Sequence, residues 1–434
     1  MLIHLVVPGD TVSGIAAFYG ITPAKLIEDN QLLTPNHLVP GQNLLILFPA
    51  LTHTVQPGDT LFAISRQYGV SLITLYRNNY FLGGKPGIFP GQVLTIAYAQ
   101  TKLGRLMVNG YAMPNINQDL YLATLPYLTT VSIFAHSFTA EGNLIEIDDR
   151  DMIARARTMG VASIMVLAPF DSDQGFDNQL ISDVVNSPAA SKRLIENVVA
   201  AVTRKGYSGV DLDFEYIKKT DAAPYLAFVA ALYEALSAQG YTLNIDLAPK
   251  TSTDQPGLLY EGQNYAALGK ITDTVLVMTY EWGYTYGPPM AVAPIGEVRK
   301  SLDYAVSQIP PQKILMGIPN YGYDWTLPFV QGQSKAQSIS NPRGVDLAVN
   351  HGQPILFRDS AASPYFNYRA DSGADHEVWF EDPQSISAKL DVARQLGLRG
   401  AGYWSLMRPF PQNWQMLNVL FEIERKDVSI FRPR

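Results

Sequence analysis

The chain has 434 residues, 47% hydrophobic and 16% charged, the composition of a soluble globular protein with room for a large core and one or two appendages. Its formal charge of -7, with no basic run to track phosphates, argues against a nucleic-acid partner, and the absence of cysteine excludes disulfides and thiolate metal sites. No apolar run reaches the roughly 18 to 20 residues needed to cross a bilayer, and the opening residues, Met1 to Pro8, lack the basic n-region and cleavage site of a classical secretory signal.

The first hundred residues contain an internal repeat. HLVVPGDTVSGIAAFYGIT, from His4, aligns with HTVQPGDTLFAISRQYGVS, from His53, so that Pro8-Gly9-Asp10-Thr11 recurs as Pro57-Gly58-Asp59-Thr60 with an offset of 49 (59 minus 10). Pro40-Gly41-Gln42 likewise recurs as Pro90-Gly91-Gln92. Two copies are too few for a solenoid, so each unit must close a core of its own. Each reads strand, helix, helix, strand. Asp10 or Thr11 caps a helix that Gly20 stops after Tyr19, Thr22-Pro23 starts a second that ends near Asn30, and Thr60, Gly69 and Ser71 repeat these signals. Through the PGDT turn, the Asn30 and Asn79 region and the PGQ turn, units 1–48 and 51–98 resemble LysM modules. That resemblance implies binding of N-acetylglucosamine-containing glycans, peptidoglycan or chitin, in the groove between the two turns. The expected contacts are Thr11, Thr60, Leu61, Phe62, Asn30 and Asn79, with Gly9, Gly58, Gly41 and Gly91 serving the turns.

From about residue 102 the pattern changes to short apolar runs, at 105–110, 130–135, 163–168, 209–214, 242–247, 274–280, 313–318 and 400–404, with amphipathic helical segments such as 151–158, 191–204, 225–237, 296–308 and 386–395 between them. Eight nearly continuous apolar strands alternating with helices predict an α/β fold, a closed parallel (β/α)8 barrel over 102–434. The stretch of about 324–377, between the seventh and eighth strands, reads as an insertion.

The fourth run carries the strongest chemical signal. In Ser208 to Glu215, Asp211, Asp213 and Glu215 alternate with Val210, Leu212 and Phe214, which stacks three carboxyl groups on one face of one strand. Three anions on a half-buried surface repel one another, so they point to a use for shared protons. Glu215 falls at the C-terminal end of its strand, where such barrels hold their active sites. The sixth run ends in Met278-Thr279-Tyr280-Glu281-Trp282, the seventh reaches Asn320 and Tyr321, and the eighth ends at Trp404, an aromatic ring suited to stacking on sugar C–H faces.

On these motifs the domain resembles family 18 glycoside hydrolases. Their fourth-strand DxxDxDxE is here SxxDxDxE, with Ser208 in the first position; their sixth-strand Met-x-Tyr-Asp is Met278-Thr279-Tyr280-Glu281; their eighth-strand Trp corresponds to Trp404. Their third-strand SxGG is replaced by Ser163-Ile164-Met165-Val166-Leu167-Ala168. The resemblance implies Glu215 as general acid and base, Asp213 and Tyr280 as the groups that orient the substrate's acetamido nucleophile, Asp211 as proton partner of Asp213, and Trp404, Tyr321, Asn320, Glu281 and Trp282 as sugar contacts. It implies no metal and no cofactor. Over its whole length the chain resembles the spore cortex-lytic N-acetylglucosaminidases of endospore-forming bacteria, which implies a location in the coat and cortex region of the spore, with cell-wall association as the alternative. An enzyme acting on chitin and a non-catalytic glycan-binding coat protein are the other readings, and retention of Glu215 and Asp213 weighs against the second.

Overall fold

The structure is a computed structural model and describes residues 1–32, 34–35, 37–171 and 175–428. Eight strands, Gly104–Ala112, Thr130–Phe138, Ala162–Leu167, Gly209–Leu212, Thr242–Leu247, Thr274–Val277, Ile314–Pro319 and Gly400–Trp404, pair in chain order, every neighbour parallel. The eighth pairs back with the first, Gly400 opposite Met107, which closes the expected barrel. The strands are buried on both faces because helices such as Pro188–Lys205, Ala222–Ser237, Ile295–Gln308 and Pro383–Gln395 cover the outside. That is why they read as unbroken apolar runs. Between strands seven and eight, a five-stranded antiparallel sheet and the helix Asn341–Asn350 form the insertion. Its first strand, Gly322–Leu327, and its last, Asp375–Trp379, are paired to each other.

Each N-terminal module pairs its two strands antiparallel, Leu2–Leu5 with Asn43–Ile46 and Pro49–Thr54 with Val93–Tyr98. The helices between them are capped as the sequence suggests: the hydroxyls of Thr11, Thr22, Thr60 and Ser71 accept from the backbone N–H groups of Gly14, Lys25, Ala63 and Thr74. Asp10 and Asp59 do different work. Each closes its own turn by accepting from a backbone N–H three residues earlier, Val7 and Gln56, and from a histidine, His4 and His53.

Three of the residues expected at glycan contacts belong to module interiors instead. Asn30 donates to the carbonyls of Leu26 and Leu45 and accepts from the Leu45 N–H; Asn79 does the same with Leu75 and Thr95. These amides stitch the second helix of each module to its last strand and have no hydrogen left for a sugar. Leu61 is buried in the core, as the inward position of a first helical turn requires. Thr11, Thr60 and Phe62 remain at the surface, Phe62 with 66% of its area exposed.

The modules are fastened to the barrel by its last helix, Pro411–Leu420. Gln412, Gln415 and Asn418, three residues apart on one face, reach Asn30 Oδ1 (2.8 Å), the Asp29 carbonyl (2.5 Å) and Asn78 Oδ1 (2.9 Å). The first module also touches the insertion, where the Ile355 N–H donates to the Pro40 carbonyl (2.9 Å), and the barrel helix Pro383–Gln395, whose N-cap Asp382 accepts from Asn43 (2.6 Å).

Candidate active site

The ends of strands four, five, six and eight surround a cleft of about 520 Å³, lined among others by Asp213, Glu215, Asp246, Tyr280, Trp282 and Trp404. Strand four puts its carboxylates there by simple alternation. Val210, Leu212 and Phe214 are buried against the outer helices, with Phe214 stacked on Phe228, so the opposite face, carrying Asp211, Asp213 and Glu215, must point to the barrel axis. The regular strand ends at Leu212, yet the Asp213 N–H still bonds the Leu167 carbonyl (3.0 Å), which holds the alternation to the mouth. Tyr216 then turns the chain away with φ of 52°.

The three carboxyls differ in surroundings. Asp211, deepest, accepts from the hydroxyls of Ser132 (2.8 Å) and Tyr111 (2.9 Å) on a single oxygen. Burial lifts it to about 6 against the pull of those two bonds. Asp213 is buried, and its Oδ1, like Oδ1 of Asp211, has no hydrogen-bond partner; burial and then the charges of Glu215 and Asp211 hold its proton affinity well above the carboxylate norm. Glu215 stands half-buried at the cleft, lifted to about 7 by burial and then by the Glu281 carboxylate. Such an acid holds its proton near neutral pH and can give it up there.

Strand six delivers Tyr280 through a tight path after Val277, in which the Tyr280 N–H bonds the Met278 carbonyl (2.8 Å). Gly317 on strand seven makes room for its ring, since a Cβ there would sit 2.7 Å from Tyr280 Cε1. Glu281 follows with φ of 71° and is held by the Tyr321 hydroxyl. Tyr321 thus acts on the cleft through Glu281. Asn320 lies behind the wall, fully buried, its amide donating to the carbonyls of Ser405 (2.9 Å) and Arg408 (2.8 Å) and fixing the turn after strand eight.

Two aromatic walls flank this acidic floor. On one side Trp404 packs edge-on to Phe134 (5.0 Å between centroids), which continues through Phe170 to Phe176; on the other stand Tyr216, Tyr260, Trp282 and Tyr284. The loop bearing Tyr260 is organised by Lys250, whose buried ammonium donates to the carbonyls of Thr253 (2.9 Å), Tyr260 (3.3 Å) and Gln263 (3.2 Å). A polar floor between aromatic sides is the arrangement a sugar ring needs. Phe176 lines the cleft, while residues 172–174 lie outside the described residues. Among the described residues no group of three His, Asp or Glu side chains is arranged to hold a metal ion.

Sequence reasoning missed Asp246, Tyr111 and Ser132. In Thr242–Leu247 the signal for Asp246 is present, because Asn244 and Asp246 are polar intruders at i and i+2 in an apolar strand. Tyr111 and Ser132 read as ordinary strand residues, and only the closed barrel brings them beneath strand four. They hold Asp211 in a chain without the SxGG motif.

The family model for glycosyl hydrolases family 18 matches residues 166–408, and that for the LysM domain matches 4–47 and 53–97. The cortical fragment-lytic enzyme of Bacillus anthracis is 37% identical over 424 residues, 96% of this chain and 98% of that protein. That of Bacillus subtilis (strain 168) is 36% identical over 432 residues, 98% and 99% of the two chains. The crystal structure of the spore cortex-lytic enzyme SleL of Bacillus megaterium QM B1551 superposes with a TM-score of 0.83 at 34% identity, covering 98% of this chain and 99% of that one.

Proposed function

The chain belongs to glycosyl hydrolase family 18, and from that premise we propose that it cleaves N-acetylglucosaminyl bonds of peptidoglycan, acting on spore-cortex fragments with retention at the anomeric carbon. One observation carries the reading. Asp213, Glu215 and Tyr280 line one cleft between aromatic walls, and the outermost acid, Glu215, is lifted to about 7.

Asp213 and Glu215 come from one strand and one face, so neither can attack the far side of a sugar bound over them. The nucleophile is then the substrate's own 2-acetamido oxygen. Glu215 protonates the departing glycosidic oxygen while the acetamido oxygen closes on the anomeric carbon, forming an oxazolinium ion. Asp213 passes its proton to Asp211, accepts the acetamido N–H and offsets the developing positive charge, and Tyr280 donates to the acetamido oxygen to hold it in line. Glu215, now ionised, takes a proton from the incoming water, which opens the ring and restores the starting configuration. Only a sugar with a 2-acetamido group at the cleaved position can follow this course. Trp404, Trp282 and Glu281 contact the sugars, and the modules add affinity through Thr11, Thr60 and Phe62. Similarity to cortical fragment-lytic enzymes over nearly the whole chain supports cortex fragments as substrate and the spore as location.

Mass spectrometry of products from wild type and Glu215→Gln, given cortex muropeptides or chitin oligosaccharides, tests this. New N-acetylglucosamine reducing ends from cortex, absent with the variant, are expected. Turnover of chitin alone would move the substrate to chitin, and inverted product in early-time NMR would overturn the mechanism.

A further inference from the structure

We infer that Asp246 is a positioning residue for this reaction, a neutral acid that donates its proton to the Tyr111 phenol oxygen and so aims the Tyr111 hydroxyl at Asp211. The inference rests on the proposed glycosidase reading for its kinetic consequences, and on proton counting for its structure.

The Tyr111 oxygen lies 2.7 Å from Asp246 Oδ1 and 2.9 Å from Asp211 Oδ2, and a phenol has one hydrogen. Both contacts are hydrogen bonds only if one of the carboxyls carries a proton and gives it to the phenol oxygen. Ser132 identifies which. Thr130 donates to Asn109 Oδ1 (2.8 Å), Asn109 Nδ2 donates to Ser132 Oγ (3.1 Å), and of the two acceptors within reach of the Ser132 hydrogen, Asp211 Oδ2 (2.8 Å) and Asn109 Oδ1 (3.2 Å), the nearer is Asp211. Asp211 Oδ2 faces two hydroxyls, whereas the Tyr111 hydroxyl is the one hydrogen-bond partner of Asp246 among the described residues, so the negative charge is better held on Asp211 and the proton on Asp246. The direction of the whole chain follows: Asp246 to Tyr111 to Asp211, with Ser132 meeting it from the other side.

Surroundings agree with this assignment. Asp246 is buried, and burial followed by the charges of Asp211 and Asp213, and more weakly Glu215, pushes its proton affinity well above the carboxylate norm. The titratable groups facing it are those three acids from strand four, Tyr111 from strand one, Tyr280 from strand six and Tyr225 from the helix behind. The consequence bears on Asp213. With Oδ2 of Asp211 committed to two donors, only its orphaned Oδ1 is free to exchange a proton with Asp213, so the network leaves that exchange one route.

Two variants of the full chain test the assignment. Asn at 246 is neutral and keeps a donor for Tyr111; Leu has similar size and no donor. Asp246→Asn should hold kcat within about threefold of wild type and leave the alkaline limb of the pH profile in place, whereas Asp246→Leu should lower kcat about 100-fold with little change in KM. A purely structural role would treat the two alike. An Asn variant as impaired as Leu, or one whose alkaline limb moves to lower pH, would mean that residue 246 works as an anion and would overturn the inference. Infrared difference spectra supply a readout independent of turnover. Wild type minus Asp246→Asn at pH 7 should show a protonated carboxylic-acid C=O band that shifts in D2O, and its absence would also overturn the inference. If wild type turns over no cortex fragment while this band is present, the proposed function fails and the protonation of Asp246 stands.

Discussion

Asn79 in the second LysM module has both amide hydrogens and its oxygen bonded inside the protein, whereas Oδ1 of Asp213 and Oδ1 of Asp211, equally buried in the barrel, have no partner. Both regions bury polar side chains, with opposite outcomes. A satisfied buried amide specifies one arrangement of the chain and returns the cost of its desolvation. An orphaned buried carboxyl costs stability, so it marks a position that folding alone would not select. The criterion separates residues that look alike in the sequence: Asn30 and Asn79 shape modules, and Asp213 keeps an unpartnered oxygen beside the cleft.

The largest effects that can break this contrast lie at the floor of the barrel. Glu215→Gln should lower kcat by about 10²- to 10⁴-fold, the usual share of a general acid, and Asp213→Asn by about 10²- to 10³-fold, both measured on cortex muropeptides. Neither should lower the melting temperature. Glu215 holds its proton more tightly folded, at about 7, than unfolded, so its contribution to stability is full below the ordinary carboxylate range and is lost as pH rises through 7. Wild type should therefore melt at a lower temperature at pH 8 than at pH 5, and Glu215→Gln should show less of that fall. A Gln variant that melts lower than wild type at pH 8 would contradict the assignment of strain to this site.

Removing a satisfied group should act in the other direction. Asn79→Ala leaves the carbonyls of Leu75 and Thr95 and the Thr95 N–H without partners, and should cost about 2 to 4 kcal/mol in denaturant unfolding of the N-terminal region. Turnover of small soluble fragments should be unchanged.

A smaller difference is expected between the turn glycines of the two modules. Gly41 and Gly91 share left-handed backbone, with φ of 84° and 90°, so alanine strains both by roughly 1 kcal/mol. A Cβ on Gly91 meets open space, whereas one on Gly41 would lie 1.8 Å from the Ile355 carbonyl oxygen. Gly41→Ala should therefore add about 1 to 3 kcal/mol beyond Gly91→Ala by pushing the first module off the insertion. Hydrogen exchange at the Ile355 N–H reads the undocking directly. Least disturbing to the fold is Phe62→Ala, expected within about 0.5 kcal/mol of wild type in stability while weakening retention on purified cortex.

Much of this was legible in the chain itself. The period-two alternation around Asp211, Asp213 and Glu215 determined which side chains share a face, because strand geometry is local and Val210, Leu212 and Phe214 could only go outward against the helices. The capping threonines and the paired PGDT and PGQ turns determined two small modules for the same reason, since caps and turns are satisfied within a few residues. What the sequence left undecided are contacts between segments far apart. Tyr111, Ser132 and Asp246 come from strands one, two and five, and become neighbours of Asp211 only when the barrel closes. Gln412, Gln415 and Asn418 look like an ordinary polar helix face until the modules are laid against it. Whether Asn30 and Asn79 serve a ligand or the backbone was decided in the same way, by which carbonyls lay within 3 Å of them. Local hydrogen bonding and side-chain periodicity are written in the order of residues; the partner of a buried polar group depends on what the folded chain brings beside it.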